Sequence, residues 1–174
     1  MKVDKLVFID EASAYLTQSR EYGRAHSSER VIDCAPKGKK ERSSLIAAVT
    51  VKGLAPEHCL VHPESVNKAA FVTYLSEVLL PNLEKDSILV LDNWTVHHGE
   101  EITQLVEEHG SELFYLPTYS PDFNPIEYLF AKIKAFVKAL RPQKMPDLLQ
   151  AFVDGVLSVT AKDVAETFRH CGYT

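Results

Sequence analysis

Apolar and polar positions along this chain keep two periods. "KLVFIDEASAYL" (5–16) opens on four adjacent apolar residues, Leu6 to Ile9, and then breaks into Asp10 and Glu11. That pattern predicts a strand, with Asp10 near its end and Glu11 on the opposite face. "SLIAAVTVKGLA" (44–55) predicts a second strand, closed by Gly53 and Pro56. "SILVLDN" (87–93) and "ELFYLP" (112–117) are short and almost wholly apolar, as strands buried on both faces read. Helical spacing takes over between them. "VNKAAFVTYLSEVLLPNL" (66–83) carries Phe71, Leu75, Val78 and Leu79 on one side and closes at Pro81. "GEEITQLVEEHG" (99–110) is amphipathic, with Gly110 at the C-cap position. Three more helices are predicted, one starting near Pro125, one over "MPDLLQAFVDGVLSV" and one over "TAKDVAETFRHCGYT". Residues 20–44 are polar, basic and turn-rich, which predicts a hairpin or loop. Strands alternating with helices imply an α/β layer structure with a largely parallel central portion. Its 174 residues fit one domain, 1–174, with no repeat or interdomain linker.

The stretch "YLPTYSPDFNPIEYLFAKIKAFV" puts a carboxylate, Glu127, on the opening turn of an apolar helix. Asn124 as N-cap, Pro125 as N1 and Glu127 as N3 have the spacing of a capping box. A second role comes from topology. In open α/β sheets, sites form outside the carboxyl ends of the parallel strands. Asp10 follows the first apolar run, Asp92 ends "SILVLD", and Glu127 begins the helix after the next strand. If those strands are neighbours, three carboxylates converge, and their mutual repulsion calls for a cation. Oxygen-only ligands suit Mg²⁺ or Mn²⁺. Two such ions about 3.5–4 Å apart clamp an in-line displacement at phosphorus. On the helix itself, Leu129, Ile133, Phe136 and Leu140 are the predicted buried stripe, and Lys134 and Lys138 fall on the Glu127 side.

Charge changes the picture only through its distribution. The net charge of −5 argues mildly against a polyanionic partner. From Arg20 to Arg42, however, seven basic residues face four acidic ones, and from Tyr128 to Pro146 there are five basic residues and no acid. Those two segments can track a phosphate backbone on an otherwise acidic body. No apolar run approaches membrane-spanning length, and the charged N-terminus does not read as a signal peptide. The three cysteines, Cys34, Cys59 and Cys171, lie far apart and favour a reducing, cytoplasmic setting.

"VFIDEA", "LVLDNWTVH" and "LPTYSPDFNPIEYLFAKIK" resemble the three signature blocks of DDE transposases, specifically the bacterial insertion-sequence branch of the mariner superfamily. Asp92 and Glu127 are separated by 34 residues, a spacing characteristic of that branch. The resemblance runs through nearly the whole chain, including "YGR" and "ERV" early on and the closing "CGY". It implies an RNase H-like fold, three layers α/β/α around a mixed central sheet. It further implies that Asp10, Asp92 and Glu127 are catalytic acids binding two Mg²⁺, with Mn²⁺ able to substitute. The activity implied is cleavage and strand transfer of double-stranded DNA, transposon ends and a TA target, by a homodimer in the nucleoid. His97 matches the histidine usually found after the second acid, while His98 stands where Lys or Arg is common. Lys134, Lys138, His97, Asn93, Arg24 and Lys39 are the expected DNA contacts. The family's helix-turn-helix region precedes the catalytic domain, and here the first strand starts almost at Met1. A second-frame product, a trimmed piece and a decayed fragment are all consistent with that.

Other residues weigh less. Asp122 reads as part of a Pro-flanked turn. His58, Cys59 and His62 in "EHCLVH" read as a surface loop rather than a zinc set, because no second ligand pair accompanies them. Trp94 reads as packed against its loop, with stacking on a base as the alternative. Another RNase H-like nuclease, or a domesticated, inactive DNA-binding domain, is the competing function.

Overall fold

A computed structural model of the chain describes residues 2–16, 41–118 and 120–173. The expected hairpin up to residue 40, with Arg24, Lys39 and Cys34, lies outside the described residues. Among the described residues, five strands form one mixed sheet in the order β3-β2-β1-β4-β5. β1 is Leu6–Tyr15, β2 Arg42–Val49, β3 Cys59–His62, β4 Ile88–Leu91 and β5 Glu112–Tyr115. β1 and β2 pair antiparallel from Phe8↔Val49 to Tyr15↔Arg42, and β3 adds antiparallel to β2. On the other side β1, β4 and β5 run parallel.

β3 is not legible in the pattern of the chain. Its four residues "CLVH" are too short and too mixed to show a period, and pairing along β2 from Ser44↔His62 to Ala47↔Cys59 makes them a strand. β5, expected to be buried on both faces, is an edge strand in which Glu112 and Phe114 face outward.

Helices cover both faces. α1 (Lys68–Thr73), which continues through a π-turn at Tyr74–Leu79 and a 3₁₀ turn at Leu80–Asn82, lies with α2 (Glu100–His109) on one side. α3 (Pro125–Leu140), α4 (Met145–Leu157) and α5 (Ala161–His170) lie on the other. Alternation along the strands divides the core accordingly. Val7 and Ile9 of β1 pack with Phe71, Leu75 and Ile102, whereas Leu6, Phe8, Ala12 and Ala14 pack with Ile133, Phe152 and Phe168. Gly110 ends α2 with φ 82°, the left-handed C-cap that its position predicts.

α3 departs from its predicted stripe. The buried positions are Pro125, Ile126, Leu129, Phe130, Ile133 and Val137, and Leu140 is 52% exposed. The helix rotates because α4 and α5 claim its Phe130 and Val137 side. Lys132 pairs with Asp163 of α5 and so is occupied in holding helices together. No described helix is long and apolar enough to cross a membrane.

Candidate active site

The parity of β1 decides where its two acids point. Asp10 belongs to the even set that faces α3, and Glu11 to the odd set that faces α1 and α2. Asp10 is not at the end of its strand, as expected, because antiparallel pairing with β2 carries β1 on to Tyr15. It lies instead just past the last β1–β4 pair, Phe8↔Val90. There β4 ends at Leu91 and the chain turns away at Asp92, leaving a cavity of about 390 Å³. Asp10, Asp92 and Glu127 all line it, together with Asn93, Trp94, Thr118 and Asn124.

Asn124 does not cap α3 with its side chain. Its Nδ2 donates to Asp10 Oδ2 at 3.0 Å, so the capping box expected with Glu127 is not formed. The Asp10 carboxyl, buried beside Asn124, takes the amide that would otherwise turn back to the helix. Asp10 Oδ1 accepts the Glu11 backbone N–H at 2.7 Å. Burial, then the charges of Glu127 and Glu11, raise the Asp10 pKa from 3.8 to about 8.

Asp92 is half exposed and differently held. Its Oδ1 accepts the Trp94 backbone N–H at 3.0 Å and meets His97 Nδ1 at 2.7 Å. The hydrogen bond from His97 is the main reason its pKa lies below the usual range. The other ring nitrogen, Nε2, meets Glu11 Oε1 at 3.0 Å. Both partners are acceptors, so both nitrogens must carry protons, which makes the ring an imidazolium. Burial opposes that charge, but the bonds to Asp92 and Glu11 prevail and raise its pKa to about 10. His97 is fully buried against Phe71 and Trp94. It therefore has no surface to offer DNA, and its expected role as a DNA contact is corrected to that of a brace between β1 and the Asp92 loop. Tyr115 steadies the same loop, donating its hydroxyl to His97 O at 2.9 Å.

Asn93 is exposed at the cavity, bonded to His98 Nε2 at 2.7 Å and to Thr118 Oγ1 at 3.4 Å. Lys134 and Lys138 stand two and three turns along α3, within about 20° of Glu127 around the axis. Asp122 sits exposed in a 3₁₀ turn at Pro121–Phe123, as its turn reading predicts. Of the "EHCLVH" residues, Cys59 donates its thiol to Ala55 O at 3.4 Å.

The cavity offers oxygen donors of the kind a hard divalent cation takes. Its donors are oxygens, a neutralised buried Asp10 signals an uncompensated negative charge, and Asn124 Oδ1 is buried without a hydrogen-bond partner. Among the described residues, no three acidic, His or Cys side chains are placed so that together they could hold a metal ion. Asp92 Oδ1 is engaged by His97 and Trp94.

Sequence reasoning misses the Glu11–His97 pair and the Asn124–Asp10 bond. The strand's own alternation carries a signal for the first, since Glu11 interrupts a buried apolar face.

Over residues 5–149 the sequence matches the family described as DDE superfamily endonuclease. No curated protein matches it. Among solved structures, the Mos1 strand transfer complex is 15% identical with a TM-score of 0.76, over 97% of this chain and 52% of that one. The Mos1 mariner paired-end complex with Mn is 15% identical with a TM-score of 0.76, over 96% and 52%. The catalytic domain of Mos1 mariner transposase is 14% identical with a TM-score of 0.71, over 97% and 78%. The chain thus spans about half the length of the transposase chains in those complexes. At these identities the likeness fixes the fold, which is RNase H-like.

Proposed function

The chain belongs to the DDE endonuclease superfamily, and from that premise we propose that it is the catalytic domain of a DNA transposase. The observation that carries the reading is the meeting of Asp10, Asp92 and Glu127 at one cavity, from three separate elements. In this reading the substrate is a DNA phosphodiester and the reaction is strand cleavage followed by strand joining. Asp10, Asp92 and Glu127 would hold the two Mg²⁺ or Mn²⁺ ions of this reading. When bound, the ions supply Lewis-acid stabilisation of charge on the attacking and leaving oxygens.

The chain's own residues do the positioning. Asn124 and the Glu11 N–H orient the two oxygens of Asp10. His97, itself gripped by Glu11, orients Asp92. Lys134 and Lys138 extend the site along α3, where they meet the backbone phosphates of the duplex. Structures of Mos1 with Mg and with Mn, and with a transposon end, support metal and DNA as the ligands. The active assembly is a homodimer, with end recognition by a helix-turn-helix part distinct from residues 1–174, and a TA target.

Incubation of labelled duplex with the protein and Mn²⁺ should give nicked and joined products, with and without an added DNA-binding partner. Asp92→Asn and Glu127→Gln should abolish both while leaving the fold intact by circular dichroism. Undiminished cleavage by either variant refutes the assignment.

A further inference from the structure

Trp94 is 43% exposed although it lines the carboxylate cavity. Its sequence context predicts packing against its own loop, and it packs there only in part. Its backbone N–H donates to Asp92 Oδ1 at 3.0 Å, and its carbonyl accepts the His97 N–H at 3.0 Å. Its ring meets the buried His97 ring nearly at right angles, 86°, with centroids 5.7 Å apart. Whichever of the two rings presents its edge, at least one face of the indole is left uncovered by His97. The residue is thus anchored by its backbone beside a candidate catalytic carboxylate, with its ring lining the cavity and nearly half exposed. Tryptophan is highly buried on average, so an indole this exposed at a cavity is a candidate contact surface.

We propose that Trp94 is the stacking platform for an unpaired nucleobase adjacent to the phosphate undergoing reaction, and that Asn93 reads that base's polar edge. The proposal rests on the transposase reading, which brings a phosphate to Asp92. A base inside a duplex has both faces covered by its neighbours, so only an extruded or terminal base can stack on the indole. The Asn93 amide is fixed by His98 at its oxygen and Thr118 at its nitrogen, a preset acceptor and donor next to the platform. Stacking tolerates any base, and the Asn93 edge adds only a modest preference.

Trp94 is the only tryptophan in the chain, so its fluorescence reports on this site alone. The test is a titration, in EDTA, with a short duplex bearing one unpaired terminal nucleotide and with the same duplex abasic at that position. The unpaired base should quench the emission, and the abasic duplex should bind on the order of tenfold more weakly without quenching. Read by anisotropy of labelled duplexes, since neither variant retains a tryptophan, Trp94→Phe should keep most of the preference for the base-bearing duplex, and Trp94→Ala should lose it. Equal binding of both duplexes by the parent, or a Trp94→Ala protein that still discriminates, overturns the stacking site. Mn²⁺-dependent cleavage of plain duplex by the same preparation separates that failure from failure of the transposase reading. Its absence removes the activity and the stacking site together.

Discussion

Replacing Asp10 by Asn removes a titrating carboxyl whose charged form the metal-free protein disfavours. The residue is 8% exposed, and burial, with Glu127, Glu11 and Asp92 nearby, lifts its pKa from 3.8 to about 8. Between those values the folded protein keeps a proton that the unfolded chain has released. The stability this group contributes is therefore complete below its ordinary pKa, and it is lost as pH rises through about 8. One proton is worth about 1.4 kcal/mol per pH unit, a ceiling of about 2.7 kcal/mol between pH 5 and pH 7. The cavity is open and its carboxylates can turn outward, which reduces the effect to about 1–2 kcal/mol. For a domain of this size that is about 2–8 °C in melting temperature. Asn does not titrate, and its amide can bond Asn124 through the acceptor that is now unpaired. Thermal melts in EDTA should show the gap between Asp10→Asn and the parent widening in the variant's favour by that amount from pH 5 to pH 7. Saturating Mn²⁺ should then reverse the order, since about 2.7 kcal/mol comes from ligand at a hundred times its dissociation constant. A gap that ignores pH, or a variant several kcal/mol less stable in EDTA at pH 7, refutes the reasoning. So does a variant that Mn²⁺ stabilises as well as the parent.

Glu11→Ala leaves the His97 imidazolium with one partner in a buried setting and should cost about 3 kcal/mol, read by chemical denaturation. Because the folded pKa of His97 is about 10, above its ordinary 6.5, the contribution is full below pH 6.5 and lost as pH climbs through about 10. The penalty of Glu11→Ala should shrink over that window, and NMR titration of the ring should show a lowered pKa in the variant. Lys134→Ala with Lys138→Ala should weaken binding to all duplexes alike. It should also flatten the salt dependence by about 0.9 in log–log slope for each phosphate no longer neutralised, measured by fluorescence anisotropy across a salt series.

Much of the chain's organisation is set by local sequence. The apolar runs at 6–9, 45–49 and 88–91 are long enough to declare themselves as strands whatever surrounds them. The helices at 100–109, 145–157 and 161–170 are set by amphipathic spacing and local end signals. Those end signals include Gly110 and the Thr160–Asp163 capping box. The three acids could be singled out because each stands at the margin of an apolar run, where a polar residue has no packing role to fill.

What the sequence could not decide is which partner each polar group finds, since those partners lie far away in the chain. Asn124 reads as a cap, and a carboxylate 114 residues away takes its amide instead. His97 reads as a residue near the substrate, and β1, 86 residues earlier, buries it against Glu11. Edge and centre are also tertiary properties. β5 has the composition of an interior strand but no neighbour beyond it among the described residues, while "CLVH" becomes a strand because β2 offers unpaired backbone along its outer side. A period records which faces of an element are apolar, and only the packed structure determines what those faces meet.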